Sequence, residues 1–153
     1  MIVPAEGSFR LVQEADTARL GAAIAGELKA HEAVCLSGPL GAGKSSLARG
    51  LIRALAGAAT EAPSPTFTLV QTYDAGAFPL AHFDLYRLTK PEEALELGLD
   101  EALDDGAAVI EWPERLGHHL PPNRLDVELE IAGDQRRARL TPHGAWEGRA
   151  FEF

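Results

Sequence analysis

The chain reads as one α/β domain in which helices cover a mainly parallel central sheet that ends in an antiparallel C-terminal hairpin. Apolar segments of strand length alternate with stretches of helical periodicity, as in a parallel sheet built through crossovers. A glycine-rich turn at 38–45 lies where one such strand would pass into a helix. The tail "RLDVELEIAGDQRRARLTP" alternates strictly about a turn, as a half-exposed hairpin does.

Residues 14–29, "EADTARLGAAIAGELK", space Leu20, Ile24 and Leu28 four apart, which is one face of a helix. "AVCLS" at 33–37 is a short apolar run closed by a glycine, suited to a buried parallel strand. A helix is expected over 46–56, ended by Gly57. "TFTLVQTYD" (66–74) is β-branched and aromatic, and it and "PLAHFD" (79–84) are read as strands. Pro91 opens one or two short helices through Gly106, with Leu95, Leu99 and Leu103 repeating at four among acids. "AAVIEW" (107–112) is a third buried strand. In the hairpin, Leu125, Val127, Leu129 and Ile131 take one side, Asp126, Glu128 and Glu130 the other, and the turn falls at Gly133-Asp134.

At 153 residues the length fits a single domain over 1–153 with a real core. The net charge of −9 argues against a protein that grips nucleic acid directly, since phosphate neutralisation needs clustered Lys and Arg. Cys35 is the single cysteine; it has no internal disulfide partner and is read as a buried small apolar residue in a reducing compartment. The first residues, "MIVPAEGSFR", show no basic segment leading into an apolar one, and no apolar stretch reaches the roughly 18 residues of a membrane span. A soluble, cytoplasmic protein without membrane contact is expected.

"GPLGAGKS" matches G-x-x-x-x-G-K-[ST] at every required position: Gly38, Gly43, Lys44 and Ser45. Glycines let backbone N–H groups turn inward as an anion nest, and the helix behind adds its positive end. Lys44 suits the β- and γ-phosphates and the Ser45 hydroxyl suits Mg²⁺. The chain has only three lysines (Lys29, Lys44, Lys90), and one falls where this chemistry needs it. Gly38, Pro39, Leu40, Gly41, Ala42, Gly43, Lys44, Ser45 and Ser46 are therefore the expected phosphate binders. With the strand before and the helix after, they predict a P-loop NTPase-like three-layer sandwich.

Such a site also needs an acid at the carboxyl end of a nearby strand. Asp84 ends "LAHFD" and Glu111 ends "AAVIE". Glu111, behind the longer apolar run, is assigned to metal and attacking water, and Asp84 to the metal through water. Either acid alone also suits the capping of the next element. In "APSPTFT", Pro63 and Pro65 stiffen a loop that presents Ser64 and Thr66. Thr66 fits a sensor of γ-phosphate and Mg²⁺, against an ordinary Pro-rich turn.

"GPLGAGKSSLARGL", "SPTFTLVQTY", "HFDLYRL", "PEEALELGLDE" and "VIEWPE" occur in the order and approximate spacing of the TsaE family. The chain resembles those P-loop ATPases of bacterial tRNA threonylcarbamoyladenosine synthesis from about Glu14 to about Arg139. The resemblance implies ATP and Mg²⁺ as cofactors, with the 38–45 loop on the phosphates and Ser45 and Glu111 on the metal. Thr66 would lie in a switch-like loop, Asp84 beside the metal, and Trp112 would be the aromatic of the family's E-W pair. Glu14 and Arg136 are similar by position to residues flanking the base and ribose. Two positions depart from the family: Pro39 replaces an acid, and Ser45 replaces threonine, which serves Mg²⁺ equally. The resemblance also implies partners, namely the threonylcarbamoyl-transferase subunit and its dimerisation partner, with hydrolysis cycling that complex.

Other features take ordinary readings. The acids Glu92, Glu93, Glu96, Asp100, Glu101, Asp104 and Asp105 form a solvated helix face, with a docking face for a basic partner as the alternative. His82 is read as a hydrogen-bonded strand histidine rather than a base. His118, His119 and His143 lack metal-ligand spacing. Among competing functions, a small-molecule or nucleotide kinase would share loop, metal and fold, but an acid-rich 86–106 segment makes a poor arginine-bearing lid. A nucleotide-gated binding module with negligible turnover is the non-enzymatic reading. A GTPase is disfavoured because no N-K-x-D motif occurs.

Overall fold

Which residues alternate, and which repeat at three and four, decides the layers of the computed structural model, which describes Met1–Phe153. In the strand Ala33–Ser37 (β3), Val34 and Leu36 enter one core while Ala33 and Cys35 enter another, because successive side chains leave opposite faces of a sheet. Ala107–Glu111 (β6) divides in the same way, with Ala107 and Val109 opposed to Ala108 and Ile110. Both strands are buried on both faces, hence the unbroken apolar runs.

The chain opens with Ile2–Pro4 (β1), Gly7–Leu11 (β2) and the helix Glu14–Ala25 (α1). After β3 come Lys44–Ala56 (α2), Val70–Asp74 (β4) and Pro79–Asp84 (β5). Two short helices, Glu92–Glu96 (α3) and Leu99–Asp105 (α4), precede β6. A 3₁₀ segment Pro113–His119 leads to Arg124–Ala132 (β7) and Gln135–His143 (β8), and Ala150–Glu152 (β9) ends the chain. The seven-stranded sheet has the order β2-β8-β7-β3-β6-β5-β4, and β1 pairs with β9 apart from it. The β7-β3, β3-β6 and β6-β5 pairings are parallel; β2-β8, β8-β7 and β5-β4 are antiparallel. The expected parallel centre and C-terminal hairpin are both present.

Helices α1 and α2 cover one face through Leu20, Ile24, Leu47, Leu51 and Ile52, all fully buried. Each such side chain contributes about 1.5–3 kcal/mol by leaving water. The two helices approach closely: a Cβ on Gly50 would lie 2.2 Å from the Ala18 carbonyl oxygen, and one on Gly21 2.2 Å from that of Leu47. Ala94, Leu99 and Leu116 cover the opposite face. Helix, sheet and helix make the three layers. No helix is long and apolar enough to cross a membrane.

Several boundaries differ from the sequence reading. The strand expected over 66–74 begins at Val70, because Leu69 adopts φ 68° and its N–H donates to the Pro65 carbonyl, folding 66–69 into a turn. Helix α2 starts at Lys44 rather than Ser46. The first helix stops at Ala25, although Leu28 is still buried. Gly98, at φ 92°, breaks the 91–106 segment in two and puts Ala94 in the core where Leu95 was expected. The hairpin turn is at Gly133-Asp134, with Ala132 opposite Gln135, but Ile131 is half-exposed at the tip. Strands β1, β2 and β9 were not anticipated.

Candidate functional site

The carboxyl ends of β3, β5 and β6 meet the amino end of α2 at a cavity of about 710 Å³. The loop before α2 takes its shape from glycines in the left-handed region: Gly38 at φ 136°, Gly41 at 83° and Gly43 at 107°. A side chain at Gly38 would also strike the Leu129 carbonyl oxygen at 2.4 Å, so both backbone angle and space demand glycine there.

Leu40, Gly41, Gly43, Lys44, Ser45 and Ser46 line the cavity. Gly38, Pro39 and Ala42 do not. Ala42 is buried in the core, and Gly38 and Pro39 line an adjacent groove with Glu128 and Glu130. These two meet the site through their carbonyls, which accept from Lys44 Nζ at 2.5 and 3.0 Å. Lys44 Nζ also lies 4.5 Å above the Trp112 ring, within range of a cation–π interaction. Burial pushes the Lys44 pKa below its ordinary value, and the carboxylates of Glu111, Glu114 and Asp84 oppose that shift only in part.

Asp84 and Glu111 stand opposite each other in the β5–β6 register and both line the cavity. Alternation from Leu80 through His82 to Asp84, and from Ala107 through Val109 to Glu111, turns both toward the α2 face. Asp84 Oδ1 accepts from the Tyr86 N–H at 3.1 Å, and Oδ2 from the Ser64 hydroxyl at 3.4 Å. Glu111 Oε2 is 2.7 Å from His82 Nε2, with both residues buried. Ser45, Asp84 and Glu111 make a small set of hard oxygen donors, and no group of three His, Cys, Asp or Glu side chains is set to hold an ion alone. That fits Mg²⁺, which usually takes one or two carboxylates and completes its shell with water and substrate phosphates.

Thr66 lines the cavity, and its Oγ1 donates to Ser64 Oγ at 3.3 Å. Thr66, Ser64 and Asp84 thus form one chain of hydroxyls ending on a carboxylate. The loop is tied to the strand below it where the Asp84 N–H donates to the Leu69 carbonyl at 3.0 Å. Beside the phosphate loop, Glu14 Oε1 accepts from the Ser46 hydroxyl at 2.9 Å, and Arg136 Nε donates to the Gly41 carbonyl at 3.2 Å. Every residue expected at the site therefore reaches the cavity except Gly38, Pro39 and Ala42.

Sequence reasoning missed Thr17, Tyr86 and Gln135 as cavity residues. Thr17 packs on the face of Gly43, where an added Cβ would lie 3.2 Å from its Cγ2. Tyr86 packs tilted against Trp112, ring centroids 4.8 Å apart, and extends the aromatic wall; its place two residues after Asp84 is the available signal. The histidine under Glu111 is as expected: hydrogen-bonded on a strand.

A family model described as "Threonylcarbamoyl adenosine biosynthesis protein TsaE" matches residues 11–139. The tRNA threonylcarbamoyladenosine biosynthesis protein TsaE of Rickettsia conorii is 43% identical over 127 residues, covering 83% of this chain and 73% of that protein. The protein of the same description from Bacillus subtilis is 35% identical over 130 residues, 84% of this chain and 80% of the relative. Among solved structures, YdiB of Bacillus subtilis superposes with a TM-score of 0.76 at 29% identity, over 94% of this chain and 88% of that one.

Proposed function

This chain belongs to the TsaE family, and on that footing we propose that it is an ATPase of tRNA threonylcarbamoyladenosine biosynthesis. It acts with the threonylcarbamoyl-transferase subunit and that subunit's dimerisation partner, in the cytoplasm, and hydrolysis cycles their complex. The observation that carries the reading is the convergence of Lys44, Ser45, Asp84 and Glu111 on one cavity. Loop N–H groups and the α2 amino end bind the phosphates, and Lys44 leaves the Gly38 and Pro39 carbonyls to meet the β- and γ-oxygens. Ser45, Asp84 and Glu111 hold Mg²⁺. The ion would supply positive charge against the charge developing on the transferred phosphoryl group. Glu111 orients the attacking water, and Thr66 reads the γ-phosphate. Glu14 and Arg136 would flank the base and ribose, as the family resemblance implies.

A kinase needs a lid over the phosphates, whereas the 86–106 segment packs Leu88, Ala94 and Leu99 into the core on the other face of the sheet. With a net charge of −9, binding of tRNA is left to the partners. Phosphate release from ATP and Mg²⁺ without an acceptor tests the reading: slow release alone, stimulated by the transferase complex, is expected. Release only on addition of an acceptor molecule, or none under any condition, refutes it.

A further inference from the structure

His82 has no part in the ATPase reading, yet it is more deeply placed than any group that does. It is 1% exposed on β5, between Leu80 and Asp84 on the face that α2 covers, and its register partner on β6 is the fully buried Val109. Packing alone would favour an aliphatic side chain among such neighbours. An imidazole there gives up water at both nitrogens, and only Nε2 gains a partner: Glu111 Oε2, at 2.7 Å. Nδ1 is buried with none. Burying a polar atom unpaired is unfavourable, so what the other nitrogen does must offset it.

A carboxylate only accepts, so Nε2 carries a hydrogen and donates to Oε2, while Nδ1 has no partner. Glu111 lines the cavity and His82 does not. One carboxylate oxygen is thus anchored by His82, in a residue that itself lines the cavity.

We propose that His82 is a positioning residue for Glu111, its Nε2–H fixing Oε2 so that Oε1 is held toward the metal shell and the attacking water. The proposal rests on the ATPase reading of the cavity. A glutamate side chain has three rotatable bonds, and without the anchor its carboxylate samples directions that do not serve the water. Hydrogen-bond partners behind a ligating carboxylate act in this way, and misorientation costs rate more than it costs substrate binding.

The test compares His82→Leu, which removes the donor, with His82→Gln, whose amide nitrogen reaches the Nε2 position. In steady-state phosphate release with the partner complex, Leu is expected to lower kcat about 10- to 100-fold with KM within about 2-fold, and Gln to restore kcat to within about 5-fold of wild type. In a Glu111→Gln background, His82→Leu should cost nothing further. ¹⁵N resonances of the wild-type imidazole should show Nε2 protonated and hydrogen-bonded, independently of turnover. Wild-type kcat in the Leu variant, equal losses in Leu and Gln, or an Nε2 without a proton would each overturn the proposal. If His82→Leu fails to fold, His82→Asn takes its place: its amide reaches only the Nδ1 position, and activity equal to that of Gln overturns the proposal. Failure of the parent reading looks different, because Glu111→Gln itself would then hydrolyse ATP at the wild-type rate.

Discussion

Asp84 and Glu111 close adjacent parallel strands as direct register partners, so two carboxylates from residues 27 positions apart share one crevice beside the α2 amino end. Their supports differ. Asp84 is held by a backbone N–H and a hydroxyl from the loops around it, Glu111 by an imidazole from below. Substitutions can therefore separate their roles.

Glu111→Gln keeps size and removes charge. We expect nucleotide affinity to change little, and hydrolysis to fall about 10²- to 10⁴-fold, the usual contribution of a positioned general base. Calorimetry with ATP and a phosphate-release assay check the two halves. Turnover at the wild-type level would reduce Glu111 to a strand-end acid and hand the metal to Asp84.

Lys44→Ala should sharply weaken productive ATP binding without harming the fold. A charge-assisted hydrogen bond to the phosphates is worth about 1.5–3 kcal/mol, or roughly 10- to 150-fold in Kd. In the free protein burial already disfavours the Lys44 charge, so thermal stability should not drop. Unchanged ATP affinity in a folded variant would remove the phosphate-loop assignment.

Gly50→Ala sets helix propensity against packing. Propensity alone favours alanine by about 1 kcal/mol. Here the new Cβ would lie 2.2 Å from the Ala18 carbonyl oxygen and 2.8 Å from its carbon, neither of which can rotate away. We expect a loss of about 1–3 kcal/mol, a fall in Tm of about 2–12 °C for a chain of this size. A rise in Tm would show that α1 and α2 are not so closely crossed.

What the sequence revealed and what it hid divide by the range of the interaction. The phosphate loop is legible because its glycines, lysine and serine act within eight residues, and Asp84 and Glu111 because an apolar run that stops on an acid marks a strand end. Strand β2 was hidden because Leu11 pairs with Arg136, and β1 because Val3 pairs with Phe151. No local periodicity announces a three- or five-residue edge strand whose partner is a hundred residues away. The turn at 66–69 defeated a β-branched, aromatic composition through the positive φ of Leu69. The His82–Glu111 hydrogen bond joins neighbouring strands diagonally, which depends on sheet order. Glu14 and Arg136 came from family resemblance, since nothing local to either one indicates a site.

Glu93 gives a pH-dependent expectation. Hydrogen bonds donated by the Thr89 hydroxyl and by the N–H groups of Lys90 and Thr89 hold its carboxyl below its ordinary value of 4.5. A depressed carboxylate pKa adds stability that is present above the unfolded value and lost as pH falls through the folded one. Wild type should therefore exceed Glu93→Gln in Tm at neutral pH, and the difference should fade as pH drops below 4.5. A difference that stays constant across that range would mean the carboxylate charge is not what holds the loop before α3.

If Thr66 belongs to a switch loop, coupling to partners should turn on it. Its bond to Ser64 is 3.3 Å and the next, from Ser64 to Asp84, is 3.4 Å, both long for O–H···O hydrogen bonds, whose usual range ends near 3.0 Å. The chain of hydroxyls is thus weakly held, and a γ-phosphate with its metal offers Thr66 a stronger partner. Pro63 and Pro65 limit the loop to few conformers, which suits an element with two positions. Only a ligand that meets the two positions differently can shift between them; ATP would do so through its γ-phosphate and ADP would not. Thr66→Ala should keep most ADP affinity and lose nucleotide-dependent association with the transferase complex. Pull-downs in ADP and in a non-hydrolysable ATP analogue, for wild type and variant, read this directly. Ser64→Ala should weaken the same association less, since it removes the resting partner of Thr66 and not the group that meets the phosphate. Equal retention of the complex in both nucleotides, by wild type and variants alike, would make the 62–68 loop a turn and not a switch.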